Sequence, residues 1–133
     1  MKRVGTAIVG CGKVGETHAR ALAAMEESRF VGVYSRRPEP TQAFAARHGV
    51  RAYRSLDELL ANPEVQMISV CSPHATHPDL VEAAAGAGTH VLVEKPMAVD
   101  LQGCERSIKA AERAGVKLGV ISQRRFYEPV RRV

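Results

Sequence analysis

At 133 residues, with 45% hydrophobic and 25% charged side chains, the chain has the size and composition of one globular domain with its own core. Its formal charge of +5 comes from dispersed Lys and Arg, with Arg-Arg pairs only at Arg36-Arg37, Arg124-Arg125 and Arg131-Arg132, and with no Trp and few aromatics it lacks the continuous basic stripe of a nucleic-acid binder. Cys11, Cys71 and Cys104 form no C-x-x-C pair, no signal-peptide h-region follows Met1-Lys2-Arg3, and no apolar stretch nears the ~18 residues of a membrane span, so a reducing cytoplasm is the expected setting.

The first strand-like run is Val4 to Val9, followed directly by Gly10-Cys11-Gly12-Lys13-Val14-Gly15. That motif opens a segment whose apolar positions Val14, Ala21, Leu22 and Met25 recur at helical spacing. A glycine-rich turn between a first strand and a first helix is a dinucleotide fingerprint. Gly10 would allow the tight turn, Gly12 the approach of backbone to a pyrophosphate, and Gly15 close packing of helix on strand. The helix N-terminus adds free N–H groups and a positive dipole end. An ordinary glycine-rich turn is the alternative.

The second strand is expected over Phe30 to Tyr34 and ends in Ser35-Arg36-Arg37. An NAD-binding domain carries an acid here, about 20 residues beyond the glycines, to hold the ribose 2′-hydroxyl. A hydroxyl with one or two guanidiniums suits a 2′-phosphate instead, because arginine pairs with phosphate oxygens in fork geometry, so NADP is favoured over NAD. A solvated basic loop is the bland alternative. A helix ending at Gly49 follows, then a third strand over Val50 to Tyr53 and a short helix from Ser55 to Leu60, stopped by Asn62-Pro63.

The fourth strand, Gln66 to Cys71, leads into Ser72-Pro73-His74-Ala75-Thr76-His77. These residues should line the crevice beyond the strand ends, with Ser72 and Pro73 contacting a cofactor and Thr76 or His77 ordering the next helix. His74 and His77 have the spacing of a metal pair but no third ligand nearby, so no metal site is expected. After a helix closed by Gly86 and Gly88 comes a fifth strand, His90 to Val93, ending in Glu94-Lys95-Pro96. An ammonium here can polarise a substrate hydroxyl or carbonyl and serve as general acid or base, while the carboxylate orients groups nearby and proline fixes the turn, through either peptide isomer. Alone, the tripeptide is equally a charged strand end before a proline loop.

A fifth main helix ends at Gly115, and Val116 to Ile121 is the sixth strand. The chain finishes in Glu128 to Val133, the opening of a helix without an ending. His18, His48 and His90 are read as helix-face or strand-start residues. Near-continuous apolar strands alternating with helices predict an α/β domain with a doubly wound parallel sheet of about six strands and helices on both faces.

Four stretches in this order resemble the nucleotide-binding half of the Gfo/Idh/MocA oxidoreductases: Val9 to Gly15, Ser72 to Pro78, Gly88 to Pro96, and Gln123-Arg124-Arg125-Phe126 ahead of Pro129. The resemblance covers essentially the whole chain and implies a Rossmann domain over residues 1–122. Residues 123–133 would begin the connection to a C-terminal substrate domain that this chain does not contain. It also implies a pyrophosphate loop of Gly10, Cys11, Gly12, Lys13, Val14 and Gly15, and a ribose end at Ser35, Arg36 and Arg37. Ser72, Pro73, His74 and His77 would line the cleft, with Glu94 and Lys95 at the nicotinamide and Arg125 close to cofactor or substrate. His74 departs from the Asn often found there. Lys95 takes the catalytic role, touching the substrate oxygen.

Family members exchange hydride between NADP or NAD and a sugar or cyclitol hydroxyl or its carbonyl. Their second domain supplies the substrate pocket, a catalytic Asp/His pair and usually a homo-oligomer interface, so the chain alone is expected to bind nucleotide and turn over little. A non-catalytic dinucleotide sensor is the alternative.

Overall fold

The computed structural model describes residues 2–132; Met1 and Val133, at the two ends of the terminal segments considered above, lie outside the described residues. The alternation expected from the apolar runs is present as β1 (Val4–Val9), α1 (Lys13–Ala24), β2 (Ser28–Tyr34), α2 (Pro38–His48), β3 (Arg51–Ala52), α3 (Leu56–Ala61), β4 (Met67–Val70), α4 (His77–Gly86), β5 (His90–Val93), α5 (Leu101–Ala114), β6 (Leu118–Val120) and α6 (Glu128–Arg131). Short 3-10 turns at His74–Thr76 and Gln123–Phe126 precede α4 and α6.

All six strands are parallel, in the order β3-β2-β1-β4-β5-β6. The chain leaves β1 toward β2 and β3, then returns to the other side of β1 for β4 to β6. The strand order therefore reverses between β1 and β4, where a doubly wound sheet opens a crevice at its carboxyl edge.

Successive residues of β1 face opposite sides. Ala7 and Val9 join Leu59, Ile68, Val81 and Val93 in one buried cluster, whereas Ile8 joins Ala19, Leu22, Val33 and Phe44 in the other. Both faces are thus covered by helices, which is why the strands read as continuous apolar runs.

Boundaries shift where backbone groups are claimed elsewhere. β2 begins two residues earlier than expected because Ser28 pairs with Val4 and its hydroxyl meets that of Thr6 at 2.8 Å. β6 begins two residues later, since the Val116 N–H closes the end of α5 on Ala111 O behind the left-handed Gly115. β3 contracts to two residues at the sheet edge, pairing with Gly32 and Val33.

Candidate functional site

The parallel register brings four strand ends level: Val9 pairs with Tyr34 and with Val70, and Val70 pairs with Val93. Gly10, Ser35, Cys71 and Glu94 therefore leave the sheet along one edge. A cleft of about 780 Å³ opens there, lined by the loops Gly10 to Gly12, Ser35 to Arg37 and Cys71 to His74, together with Thr76.

The three motif glycines are needed for different reasons. Gly10 sits at φ +113°, and a Cβ on it would come within 2.7 Å of Cys71 backbone. A Cβ on Gly15 would lie 2.2 Å from Gly10 O, so only glycine lets α1 begin this close to β1. Gly12 differs: its φ of −80° suits any residue, and its Cβ would meet nothing within 4 Å. The protein has no packing reason for glycine at that position. The open space lies at the N-terminus of α1, where no side chain caps the helix, and a pyrophosphate accepting the free N–H groups fits both observations. Lys13 and Val14 occupy the exposed first turn of α1.

At the β2 end, Arg36 and Arg37 line the cleft, and no carboxylate among the described residues pairs with either guanidinium. The Ser35 hydroxyl is engaged inward. Its oxygen lies 2.6 Å from Thr41 Oγ1, and the buried Thr41 hydroxyl donates to Arg37 O at 2.7 Å. Ser35 Oγ also lies 3.3 Å from Arg37 O, so its proton goes inward, to Thr41 or to that carbonyl, leaving lone-pair capacity for the cleft. A ribose hydroxyl can donate to such an oxygen; a phosphate dianion cannot. Any 2′-phosphate would therefore rest on the guanidiniums, a refinement of the sequence expectation.

The β4 end repeats this arrangement. Ser72 Oγ lies 2.7 Å from Thr76 Oγ1, which donates to Pro73 O at 2.6 Å. His74 stands at the lining beside them, its ring edge-on to His77 with centroids 5.7 Å apart. His77 itself is fully buried, with Nδ1 2.8 Å from Pro96 O and Nε2 2.9 Å from Ser72 O. It supports two cleft loops from beneath and does not reach the cleft surface. Thr76 precedes α4 as its N-cap residue without a side-chain cap, its hydroxyl turned back to Ser72 and Pro73, and His77 is the first residue of the helix. Among the described residues no group of three or more His, Cys, Asp or Glu is placed to hold a metal ion.

Glu94 and Lys95 follow β5, beside the cleft lining. Glu94 Oε1 is 2.8 Å from His18 Nε2, and Oε2 accepts from the Lys95 backbone N–H at 3.1 Å. The Lys95–Pro96 bond is cis. Lys95 is exposed, so residues 2–132 supply no walls closing over its ammonium. Burial pushes the Cys71 thiol up to about 12, with the Glu94 charge adding to the effect against a weak contact with the Ser69 hydroxyl, so it remains a neutral thiol near neutrality. Arg125 is exposed in the 3-10 turn after β6 and is not brought to the cleft lining. Two residues enter the site without any local motif to mark them, His18 and Thr41; their partners lie on other elements.

A doubly wound parallel sheet with a glycine-shaped cradle at its switch point defines a dinucleotide-binding domain. The oxidoreductase family with an NAD-binding Rossmann fold, Gfo/Idh/MocA, matches residues 4–122, and the chain belongs to that family. It is 31% identical to inositol 2-dehydrogenase of Rhizobium meliloti over 119 residues, covering 90% of this chain and 36% of that protein. The crystal structure of UDP-N-acetylglucosamine 3-dehydrogenase GnnA from Acidithiobacillus ferrooxidans superposes with a TM-score of 0.91 at 32% identity, covering 99% of this chain and 42% of that one. The WlbA dehydrogenase of Bordetella pertussis, in complex with NADH and UDP-GlcNAcA, gives 0.90 at 33% identity, covering 94% of this chain and 36% of that one. The chain thus spans little more than a third of the length of these relatives.

Proposed function

We propose that the chain is the cofactor-binding half of a dehydrogenase that exchanges hydride between NADP, in preference to NAD, and a hydroxyl or carbonyl of a sugar, cyclitol or related substrate. The observation that carries this reading is the level row of Gly10, Ser35, Cys71 and Glu94 around a cradle left open at Gly12. The substrate class is supported by the inositol and UDP-sugar dehydrogenases among the similar proteins.

Each residue then has a task. Gly10, Cys11, Gly12, Lys13, Val14 and Gly15 form the pyrophosphate cradle, its N–H groups facing negative charge. Ser35 accepts from a ribose hydroxyl, and Arg36 and Arg37 hold the 2′-phosphate. Ser72, Pro73 and His74 form the wall beyond β4, with His77 fixing that wall from below. Glu94 and Lys95 lie toward the other end of the row, where the nicotinamide half of an extended dinucleotide falls when its adenosine half is at β2. The nicotinamide ring supplies a carbon that takes or gives hydride. The Lys95 ammonium hydrogen-bonds the substrate oxygen, polarising a carbonyl in one direction and stabilising the developing alkoxide in the other. Arg125 approaches substrate or cofactor only once further chain packs beyond β6.

Residues 1–122 are the nucleotide domain in this reading, and residues 123–133 begin the link to a substrate domain and, through it, to a homo-oligomer. No helix among the described residues is long and apolar enough to cross a membrane; a cytoplasmic enzyme without nucleic-acid partners is our reading. Calorimetric titration tests the cofactor assignment. NADPH should bind more tightly than NADH, and Arg36→Ala should narrow the difference by about tenfold, the scale of one charge-assisted hydrogen bond. Equal affinities for the unaltered chain would overturn the preference for NADP.

A further inference from the structure

His18 is one polar residue of α1 that faces the sheet, and three elements meet at its ring. Nδ1 lies 2.5 Å from Ser69 Oγ on β4, and Nε2 lies 2.8 Å from Glu94 Oε1 beyond β5. Ser69 is fully buried, and the His18 and Glu94 side chains retain only 12% and 19% of their exposure. We propose that His18 is a positioning residue which, braced by Ser69, holds the Glu94 carboxylate in the orientation that receives the nicotinamide-side ribose hydroxyls.

The direction of each hydrogen bond follows from the partners. A carboxylate only accepts, so Nε2 carries a proton. In the neutral ring Nδ1 is then an acceptor, and the Ser69 hydroxyl donates to it. The other nearby polar side chain at Ser69 is the weakly interacting Cys71 Sγ, at 3.9 Å. The relay runs from Ser69 O–H to Nδ1 and from Nε2–H to Glu94. Each Glu94 oxygen has one protein donor, His18 Nε2–H for Oε1 and the Lys95 N–H for Oε2. Two acceptor directions remain free on a carboxylate that can take about four hydrogen bonds. A vicinal diol, the chemistry of a ribose, supplies two donors.

The position on the sheet fits. Ser69 pairs with Ile8 and Leu92 on the face covered by α1, a face otherwise built from Ile8, Ala19, Leu22, Val33 and Phe44. A polar link there carries a desolvation cost that an apolar pair would avoid. The link also joins the helix whose N-terminus faces the pyrophosphate to the strand end that carries Glu94. The inference rests on the dinucleotide reading of the cleft and adds the residue that orients its nicotinamide half.

Calorimetry on the full 133-residue chain tests it with two probes: NADPH or NADH, whichever the unaltered chain binds more tightly, and the matching adenosine nucleotide, adenosine 2′,5′-bisphosphate or ADP. His18→Leu should weaken the dinucleotide about tenfold, the scale of one misdirected charge-assisted hydrogen bond, and leave the adenosine nucleotide within about twofold. Glu94→Ala should do the same, and the double variant should be no weaker than either single variant. His18→Gln keeps an N–H donor for Glu94 and should recover most of the loss. Ser69→Ala, the milder change, should give a few-fold loss on the dinucleotide alone and serves if His18→Leu does not fold. Equal losses on both probes, or additive losses in the double variant, would overturn the positioning role while leaving the cofactor reading intact. Failure of the unaltered chain to bind either probe would overturn the cofactor reading and this inference with it.

Discussion

Gly12 and Gly15 sit three residues apart in one motif, yet they answer to different forces. A methyl group on Gly15 would be driven into Gly10 O, which is backbone and cannot rotate away. Gly15→Ala should therefore destabilise the chain by about 1–3 kcal/mol, the usual cost of overpacking, lowering the melting temperature with or without ligand. A methyl group on Gly12 meets open space at an ordinary φ. Gly12→Ala should cost about 1 kcal/mol or less as an N-cap change, yet weaken dinucleotide binding at least tenfold by filling the approach to the phosphates. Thermal melts and titrations of both variants separate the two effects; a Gly12→Ala chain that binds normally would remove the cradle. The motif spacing made all three glycines legible in the sequence. The direction of the Ser35 hydroxyl was not, because it is set by a threonine six residues on and by Arg37 O. His18 was illegible for a related reason: Ser69 and Glu94 are 51 and 76 residues away, and helical spacing alone makes any such histidine look like a face residue.

Between elements, α1 and α2 are tied by Glu16, whose carboxylate meets His48 Nε2 at 3.0 Å and Arg47 at 3.4 Å. The hydrogen bond from His48, followed by the nearby positive charge, holds Glu16 below its ordinary value of 4.5. A carboxylate whose folded value is depressed contributes stability that is present above 4.5 and is lost as the pH falls through the lower folded value. Glu16→Gln should therefore lower the melting temperature modestly near neutrality, and its difference from the unaltered chain should close in the acid range below 4.5. A difference that persists into strong acid would mean that packing, not charge, joins the helices. This is also the scale at which the sequence was most readable. β1 and β5 coincide with the expected Val4 to Val9 and His90 to Val93, both apolar and bounded by glycine, charge or proline, whereas β4 between them is one residue shorter at each end than the expected Gln66 to Cys71. The edge strands shrink because half their ladder is missing, and the end of α5 takes a backbone donor that the apolar pattern assigned to β6.

For the whole molecule, the level strand ends form one open edge, and on the proposed dehydrogenase reading that edge is only one wall of a reaction chamber. Hydride transfer requires the substrate carbon to be held against the nicotinamide in a site that excludes water, and Lys95 is exposed. Binding and turnover should therefore separate in this chain. A bound dinucleotide at one hundred times its dissociation constant stabilises the folded state by about 2.7 kcal/mol. For a domain of this size that is a rise of roughly 10 °C in melting temperature, at about 4 °C per kcal/mol. The same sample, given myo-inositol or a UDP-sugar with the oxidised cofactor, should produce no reduced cofactor above the blank. On the proposed dehydrogenase reading, a chain extended beyond α6 to the length of the similar proteins should give absorbance at the nicotinamide band, and Lys95→Met in that longer chain should abolish turnover while leaving the melting shift of the ligand intact. Ordinary turnover by the 133-residue chain alone would show that Lys95 needs no further walls, and a missing melting shift would show that the cradle at Gly12 is not a dinucleotide site.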